Sequence, residues 1–180
     1  MKLIGITGKA RSGKDTIAEY LWGRHAFTRI AFADPLKLAA QAMFGLSAAQ
    51  TWDADQKEVV IPHWGMSPRQ IFQLLGTEAA KPVFGKDVWI KRWRISYDML
   101  SRTDHIVVPD VRFDEEAEAI RGLGGVIVEV QRGVGLQGST GTHASELGLL
   151  KLPDYVIDNN GTLEDLFMQV ENVILKMEGL

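Results

Sequence analysis

Gly8 and Gly13 stand five residues apart, and Lys14 follows directly, giving the spacing G-x-x-x-x-G-K within GKARSGKDT. That spacing suits a loop that cradles phosphates between a strand and a helix. Glycines let successive backbone N–H groups turn inward as an anion-binding nest. A following helix presents its positive end, and Lys14 adds a point charge for the terminal phosphates. Where a Ser or Thr hydroxyl would follow the lysine to hold magnesium, this chain has Asp15, with Thr16 one place later. A carboxylate is a good hard-oxygen ligand for Mg²⁺, directly or through water, so Asp15 can replace that hydroxyl. A glycine-rich turn that binds nothing is the weaker reading, because apolar strand, loop and helix arrive in order.

Other groups able to handle phosphate or metal are scattered along the chain. Asp110 and Arg112 follow the apolar run HIVVP, where a carboxylate and a guanidinium would sit at a strand's ligand-side end. A salt bridge or a helix cap is their bland alternative. Asp34 and Lys37 follow a second apolar segment and can be read the same way, although Asp34 before Pro35 also suits a plain helix cap. Arg69, Lys91, Arg92 and Arg94 are each ordinary surface charges unless a substrate phosphate recruits one or two of them. Arg132 opens the glycine-rich stretch QRGVGLQGSTGTHAS, which reads either as a solvent-side linker or as a lid that brings an arginine to phosphates. His143 in that stretch has no second or third metal ligand nearby. Asn159 and Asn160 lie in a turn at the same sheet edge, where either could meet a purine ring.

These residues need a scaffold, and the apolar pattern supplies one. Leu3, Ile4 and Ile6 form a first strand, and Lys14 to about Arg24 an amphipathic helix with Ile17, Ala18 and Leu21 on one face. Phe27–Phe32 is a second strand and Leu36–Phe44 a helix. Residues 45–104 form a helical insertion, with one helix from Ser67 to about Glu78 and another after Gly85-Lys86-Asp87. Trp89, Trp93 and Tyr97 recur every four residues there, most simply as a packing face. His105–Pro109 is a buried strand, an acidic first turn then opens a helix closed by Gly122, and Val126–Val130 is the fourth strand. Tyr155–Ile157 is the last strand, and Thr162 begins a helix to Met177. Strands alternating with helices predict an α/β fold: a three-layer sandwich around a parallel sheet of about five strands.

Composition narrows the function classes. At 180 residues the chain reads as a single domain able to bury roughly two-thirds of its unfolded surface. A net charge of −3 gives no bulk attraction to polymeric nucleic acid or to a membrane. The absence of cysteine removes disulfides, zinc–thiolate sites and cysteine nucleophiles, and fits a reducing compartment. No apolar run approaches the roughly 18–20 residues needed to span a bilayer, and MKLIGITG is too short for a signal peptide. The expectation is a soluble cytoplasmic protein.

A phosphate loop alone permits hydrolysis, switching or phosphoryl transfer. An Asn-Lys-x-Asp base-reading motif, expected of a switch GTPase, is missing, and a motor ATPase would need more chain. The chain spends about a third of its length on one helical insertion and then adds an arginine-bearing loop. Two such segments suit a kinase, which must exclude water while aligning donor and acceptor.

The sequence resembles the deoxynucleoside monophosphate kinases of large tailed bacteriophages, a branch of the P-loop nucleoside/nucleotide kinases. The resemblance rests on GKARSGKDT (8–16), AFADPLK (31–37), RQIFQLLGTE (69–78), DVWIKR (87–92), VVPDVRFDEEAEAI (107–120) and the stretch from THASE to DNNGTLEDL (142–166). The Lys-Asp-Thr form of the loop belongs to that pattern. The resemblance implies ATP-dependent phosphorylation of a deoxynucleoside monophosphate to the diphosphate, with Mg²⁺. It implies that Gly8 to Thr16, Arg11 and Ser12 included, cradle the ATP phosphates, with Lys14 on the transferring group. Asp15, Thr16 and Asp110 would hold or orient Mg²⁺. Asp34, Lys37, Arg69, Gln73 and Arg112 would face the monophosphate, and Arg132 would act from a lid over about 131–148. A host-cytoplasmic location follows if the chain is phage-encoded. A homodimer is left open, as are a kinase of another small metabolite such as dephospho-coenzyme A and a non-catalytic nucleotide-binding module.

Overall fold

Five apolar segments pair into one all-parallel sheet in the computed structural model, which describes residues 1–100, 104–133 and 149–179. The strands are β1 (Leu3–Thr7), β2 (Phe27–Arg29), β3 (His105–Val108), β4 (Val126–Gln131) and β5 (Tyr155–Asp158), in the order β2-β3-β1-β4-β5. Leu3 pairs with Ile106, Thr7 with Glu129 and Gln131 with Asp158, so the ends of β1, β4 and β5 face one edge. The helices are α1 (Lys14–His25), α2 (Asp34–Phe44), α3 (Ala48–Trp52), α4 (Pro68–Gln73), α5 (Ala80–Phe84), α6 (Val88–Leu100), α7 (Asp114–Arg121) and α8 (Leu163–Met177). The expected α/β class and parallel sheet are those observed. Among the described residues no helix is long and apolar enough to cross a membrane. The chain divides into two compact units, Met1–Ala31 with Arg94–Leu180, and Phe32–Trp93.

The first unit holds the sheet. Parallel strands covered on both faces read as continuous apolar runs, which is why LIGIT and HIVV are so plain in the sequence. Ile4 and Ile6 pack with Ile17 and Leu21 of α1 and with Val170 and Ile174 of α8. On the other face a methyl group at Gly5 would strike Ile120 of α7 and Ile127, so α7 lies directly against β1 there. The neighbouring strands β1 and β3 therefore send their following helices, α1 and α7, to opposite faces. Such a divergence opens a crevice at the strands' carboxyl ends, where ligands of open sheets bind. Strand β2 is shorter than the expected 27–32, although the Ile30 amide still donates to the Val107 carbonyl at 3.1 Å.

The second unit is helical. Ala40, Leu46 and Ile71 form its small core, lined by Phe44, Ile61, Met66, Phe72 and Leu75. Ser47 with Gln50, and Ser67 with Gln70, cap α3 and α4 reciprocally, each serine accepting a backbone amide while each glutamine reaches back. Two expectations fail here. Asp34 does not cap α2: the helix begins at Asp34 itself, Ala33 occupies the cap, and the carboxylate lies in the first turn beside the positive helix end. The expected single helix over 67–78 is instead α4 followed by a π-helical stretch, Leu74–Ala79, and then α5. The cause is local. Gly76 lies against Leu36 so closely that a Cβ would be 2.6 Å from Leu36 Cδ2, and the indole of Trp89 donates to the Gly76 carbonyl at 2.8 Å. The face of α6 expected to pack does so: Trp93 and Tyr97 are buried and Trp89 half-buried, with Trp93 against Phe32 at 4.9 Å between rings.

Candidate active site

The loop between β1 and α1 bends through three left-handed backbone positions, Gly8 (φ 135°), Arg11 (φ 64°) and Gly13 (φ 105°). Such alternation turns consecutive amides to one side, the geometry of an anion nest. Glycine is demanded at two of them by space as well as by φ. A Cβ at Gly8 would overlap the Val130 carbonyl, and one at Gly13 the side-chain amide of Asn159. The Lys14 ammonium folds over the loop, donating to the carbonyls of Gly8 at 2.8 Å and Lys9 at 2.7 Å. The first helical bond of α1 is Ile17 N–H to Gly13 C=O, so the amides of Lys14, Asp15 and Thr16 precede it at the positive helix end. Asp15 is exposed and Thr16 half-buried in that first turn. Ser12 is fully buried, and its hydroxyl has no hydrogen-bond partner among the described residues. Arg11 is exposed.

The neighbouring strand β3 brings Asp110 and Arg112 to the same edge. Their turn is tied to β1 by the Val111 amide, which donates to the Ile6 carbonyl at 3.1 Å, two residues before the loop's first glycine. It is fixed from behind by Glu116 of α7, whose buried carboxylate accepts the backbone amides of Arg112 at 2.8 Å and Phe113 at 3.2 Å. Both Asp110 and Arg112 are half-buried.

On the other side of the loop lie the ends of β4 and β5. Arg132 follows β4 and is exposed. The Asn159 amide donates to the Gln131 carbonyl at 2.8 Å, and its side-chain nitrogen donates to the Ser12 carbonyl at 2.7 Å. Asn160, expected to contact nucleotide, is exposed and binds Asp158 Oδ1 through both its nitrogens, while its Oδ1 accepts the Gly133 amide at 3.0 Å. Residues 134–148, which include His143 and most of the expected lid, lie outside the described residues.

One sheet edge of the first unit thus brings together Gly8 to Thr16, Asp110, Arg112, Arg132, Asn159 and Asn160. The second unit carries Asp34, Lys37, Arg69 and Gln73. Asp34 Oδ1 and Lys37 Nζ are 3.9 Å apart on the first turn of α2, and the Lys37 ammonium lies 4.8 Å from the ring centroid of Trp52. Arg69 and Gln73, four residues apart, share a face of α4. Arg69 Nε donates to Glu58, and Gln73 Nε2 is buried without a hydrogen-bond partner among the described residues. Sequence reasoning missed Glu58, Glu116 and the tether from Asn159. Only Glu116 had a signal, a glutamate in the third position of an acidic helix start.

Chemically, the edge offers a backbone nest, the Lys14 ammonium, the guanidinium groups of Arg11, Arg112 and Arg132, and oxygen donors from Asp15, Thr16 and Asp110. That set suits a polyphosphate with a hard divalent cation. The described residues hold no cluster of three or more His, Cys, Asp or Glu side chains of the kind that makes a dedicated metal cage. Comparison with known proteins agrees with this chemistry. The family described as deoxynucleotide monophosphate kinase matches residues 45–170. A protein of Acanthamoeba polyphaga mimivirus is 37% identical over 185 residues, covering 94% of each chain. The deoxynucleotide monophosphate kinase of Enterobacteria phage T4 is 27% identical, covering 97% of this chain and 99% of that one. Among solved structures, the dephospho-CoA kinase of Campylobacter jejuni shares the fold with a TM-score of 0.54 at 17% identity, covering 98% of both chains. The chain belongs to the deoxynucleotide monophosphate kinase family.

Proposed function

We propose that this protein transfers the γ-phosphoryl group of ATP to the phosphate of a deoxynucleoside monophosphate, releasing ADP and the deoxynucleoside diphosphate. The observation that carries the reading is the phosphate loop held edge to edge with the Asp110–Arg112 turn through the Val111–Ile6 hydrogen bond. The acceptor is an ionised phosphate oxygen, so no strong general base is needed. Alignment and charge neutralisation provide the catalysis. The loop amides and the start of α1 hold the donor's phosphates. Lys14 exchanges its loop carbonyls for the transferring phosphate, and Arg112 and Arg132 offset the charge spread over its oxygens. Asp15, Thr16 and Asp110 hold or orient Mg²⁺, their carboxylate and hydroxyl oxygens being the hard donors that ion prefers. When bound, Mg²⁺ would supply positive charge to offset that of the donor's phosphates, and Asp15, Thr16 and Asp110 are the residues that would hold it.

The monophosphate is assigned to Asp34, Lys37, Arg69, Gln73 and Arg112, with residues 45–104 as the helical substrate-binding insertion of a single kinase domain. Gln73 supports this, since a buried amide donor is costly to leave unpaired and a substrate oxygen would satisfy it. Arg132 heads the segment from about 131 to 148, to which a lid role is assigned.

The test is a coupled ADP-release assay with ATP, Mg²⁺ and each of the four common deoxynucleoside monophosphates, with dephospho-coenzyme A as a contrasting acceptor. Diphosphate formation from at least one monophosphate, seen by phosphorus NMR, is expected. No product from any of the four, or product from dephospho-coenzyme A alone, overturns the reading.

A further inference from the structure

We infer that Asn159 is a positioning residue of the phosphate site: it sets the orientation of the Ser12–Gly13 peptide and thereby aims a loop amide at the donor's phosphates. Asn159 lies 147 residues from Ser12 in sequence, yet its side-chain Nδ2 donates to the Ser12 carbonyl at 2.7 Å. Its own amide is fixed to the end of β4 through the Gln131 carbonyl at 2.8 Å, so the donor is mounted on the sheet and not on a free loop. A trans peptide is planar, with its C=O and N–H pointing to opposite sides. Pinning the Ser12 carbonyl toward Asn159 therefore turns the Gly13 N–H away from Asn159, toward the inner side of the loop.

The side chain of Ser12 does not do this work. It is fully buried, and its hydroxyl bonds to nothing among the described residues. Gly13 completes the pairing. Its φ of 105° is one that side chains rarely adopt, and the space a Cβ would fill is already occupied by the Asn159 amide. Glycine at 13 and asparagine at 159 are thus two halves of one contact. The Asn159 donor is spent on the loop, so the residue acts through the loop's backbone and does not need to touch nucleotide.

This inference rests on the phosphate-loop reading, and its test separates the two. Asn159→Ala removes the donor, and Asn159→Asp keeps the size while setting carboxylate oxygen against the Ser12 carbonyl. ATP and monophosphate affinities are measured separately by calorimetry, beside steady-state rates and melting temperature. Both variants are expected to bind ATP about 10-fold more weakly or worse and to lose kcat/KM for ATP, with Asp no better than Ala. Monophosphate affinity should stay within about twofold. Unchanged ATP binding in a folded Asn159→Ala variant overturns the inference. So does an equal loss for both nucleotides that tracks a fall in melting temperature, the mark of a merely structural residue. Should Asn159→Asp not fold, Asn159→Ala decides alone, because it trims a side chain without adding charge. Failure of the unaltered protein to bind ATP would remove the phosphate-loop reading, and the inference with it.

Discussion

The backbone amide of Val111 donates to the carbonyl of Ile6 at 3.1 Å, joining the turn after β3 to β1 just before the phosphate loop. With the parallel pairing of β1 and β3, this main-chain bond sets Asp110 and Arg112 beside Gly8 to Thr16, although about a hundred residues separate them in sequence. Main-chain bonds do not depend on side-chain identity, so each charged group at this edge can be replaced without dismantling it. The predictions below use that separation between scaffold and chemistry.

Lys14→Ala should abolish most turnover while leaving the fold intact. The ammonium binds two loop carbonyls that water can reach once it is gone, so the cost to stability is small. The loss in kcat should be at least about 100-fold, the scale found when a preorganised transition-state charge partner is removed. Steady-state kinetics with circular dichroism checks this. Near-normal turnover in the folded variant would refute the phosphate-loop assignment.

Much of this site can be read from the sequence, for physical reasons that also set the limits. The loop is contiguous, and its glycines and lysine are required at fixed spacing, so GKARSGKDT announces itself. Strands buried on both faces leave apolar runs that no helix period imitates, which made β1, β3 and β4 plain. The tether from Asn159 to Ser12 was not legible, because it depends on the strand order that places β5 next but one to β1. DNNG shows a turn but not its neighbour. The π-helical stretch at Leu74–Ala79 was hidden for a different reason: its apolar residues fit an ordinary helix, and only the Trp89 indole and Leu36 reveal why Gly76 widens the turn.

Replacing Arg132 should impair transfer more than monophosphate binding. Its side chain is exposed at the end of β4, on the side of the loop opposite Asp110 and Arg112. Arg132→Ala is expected to lower kcat about 10- to 100-fold with monophosphate affinity nearly unchanged. Calorimetry beside steady-state rates makes the comparison, and equal losses in both would count against a role in transfer.

Glu116 should matter through the turn it supports. Its carboxylate is buried and accepts two backbone amides, so Glu116→Ala leaves donors without partners and costs about 1–3 kcal/mol of stability. Glu116→Gln keeps one acceptor oxygen and should fall between. Urea unfolding with an unchanged slope would isolate the stability effect. A loss of kcat in Glu116→Gln beyond the fraction unfolded would show the Arg112 turn shifting. If both variants match the unaltered protein in midpoint, Glu116 does not hold the turn.

The stability of the sheet should weaken as pH falls through the histidine range, and His105 is the cause. Its Nδ1 accepts the Lys2 amide at 2.9 Å where β3 begins beside β1, so the bond requires that nitrogen unprotonated. Burial lowers the His105 pKa first, and the positive charges of Lys2 and the chain's amino terminus lower it further, against opposing pulls from Asp104 and Glu178. The unfolded chain takes up a proton near the ordinary histidine value of about 6.5, while the folded chain resists it to lower pH. The unfolded state then binds more protons over that window, so stability is full above about pH 6.5 and declines below it. A second loss follows at lower pH. There the Glu171 carboxylate, held below its ordinary value chiefly by the Tyr20 hydroxyl and also by His25, becomes protonated. Denaturant titrations between pH 5 and 8 should show the first decline in the unaltered protein and a flatter profile in His105→Gln. An identical decline in both would move its origin to another group.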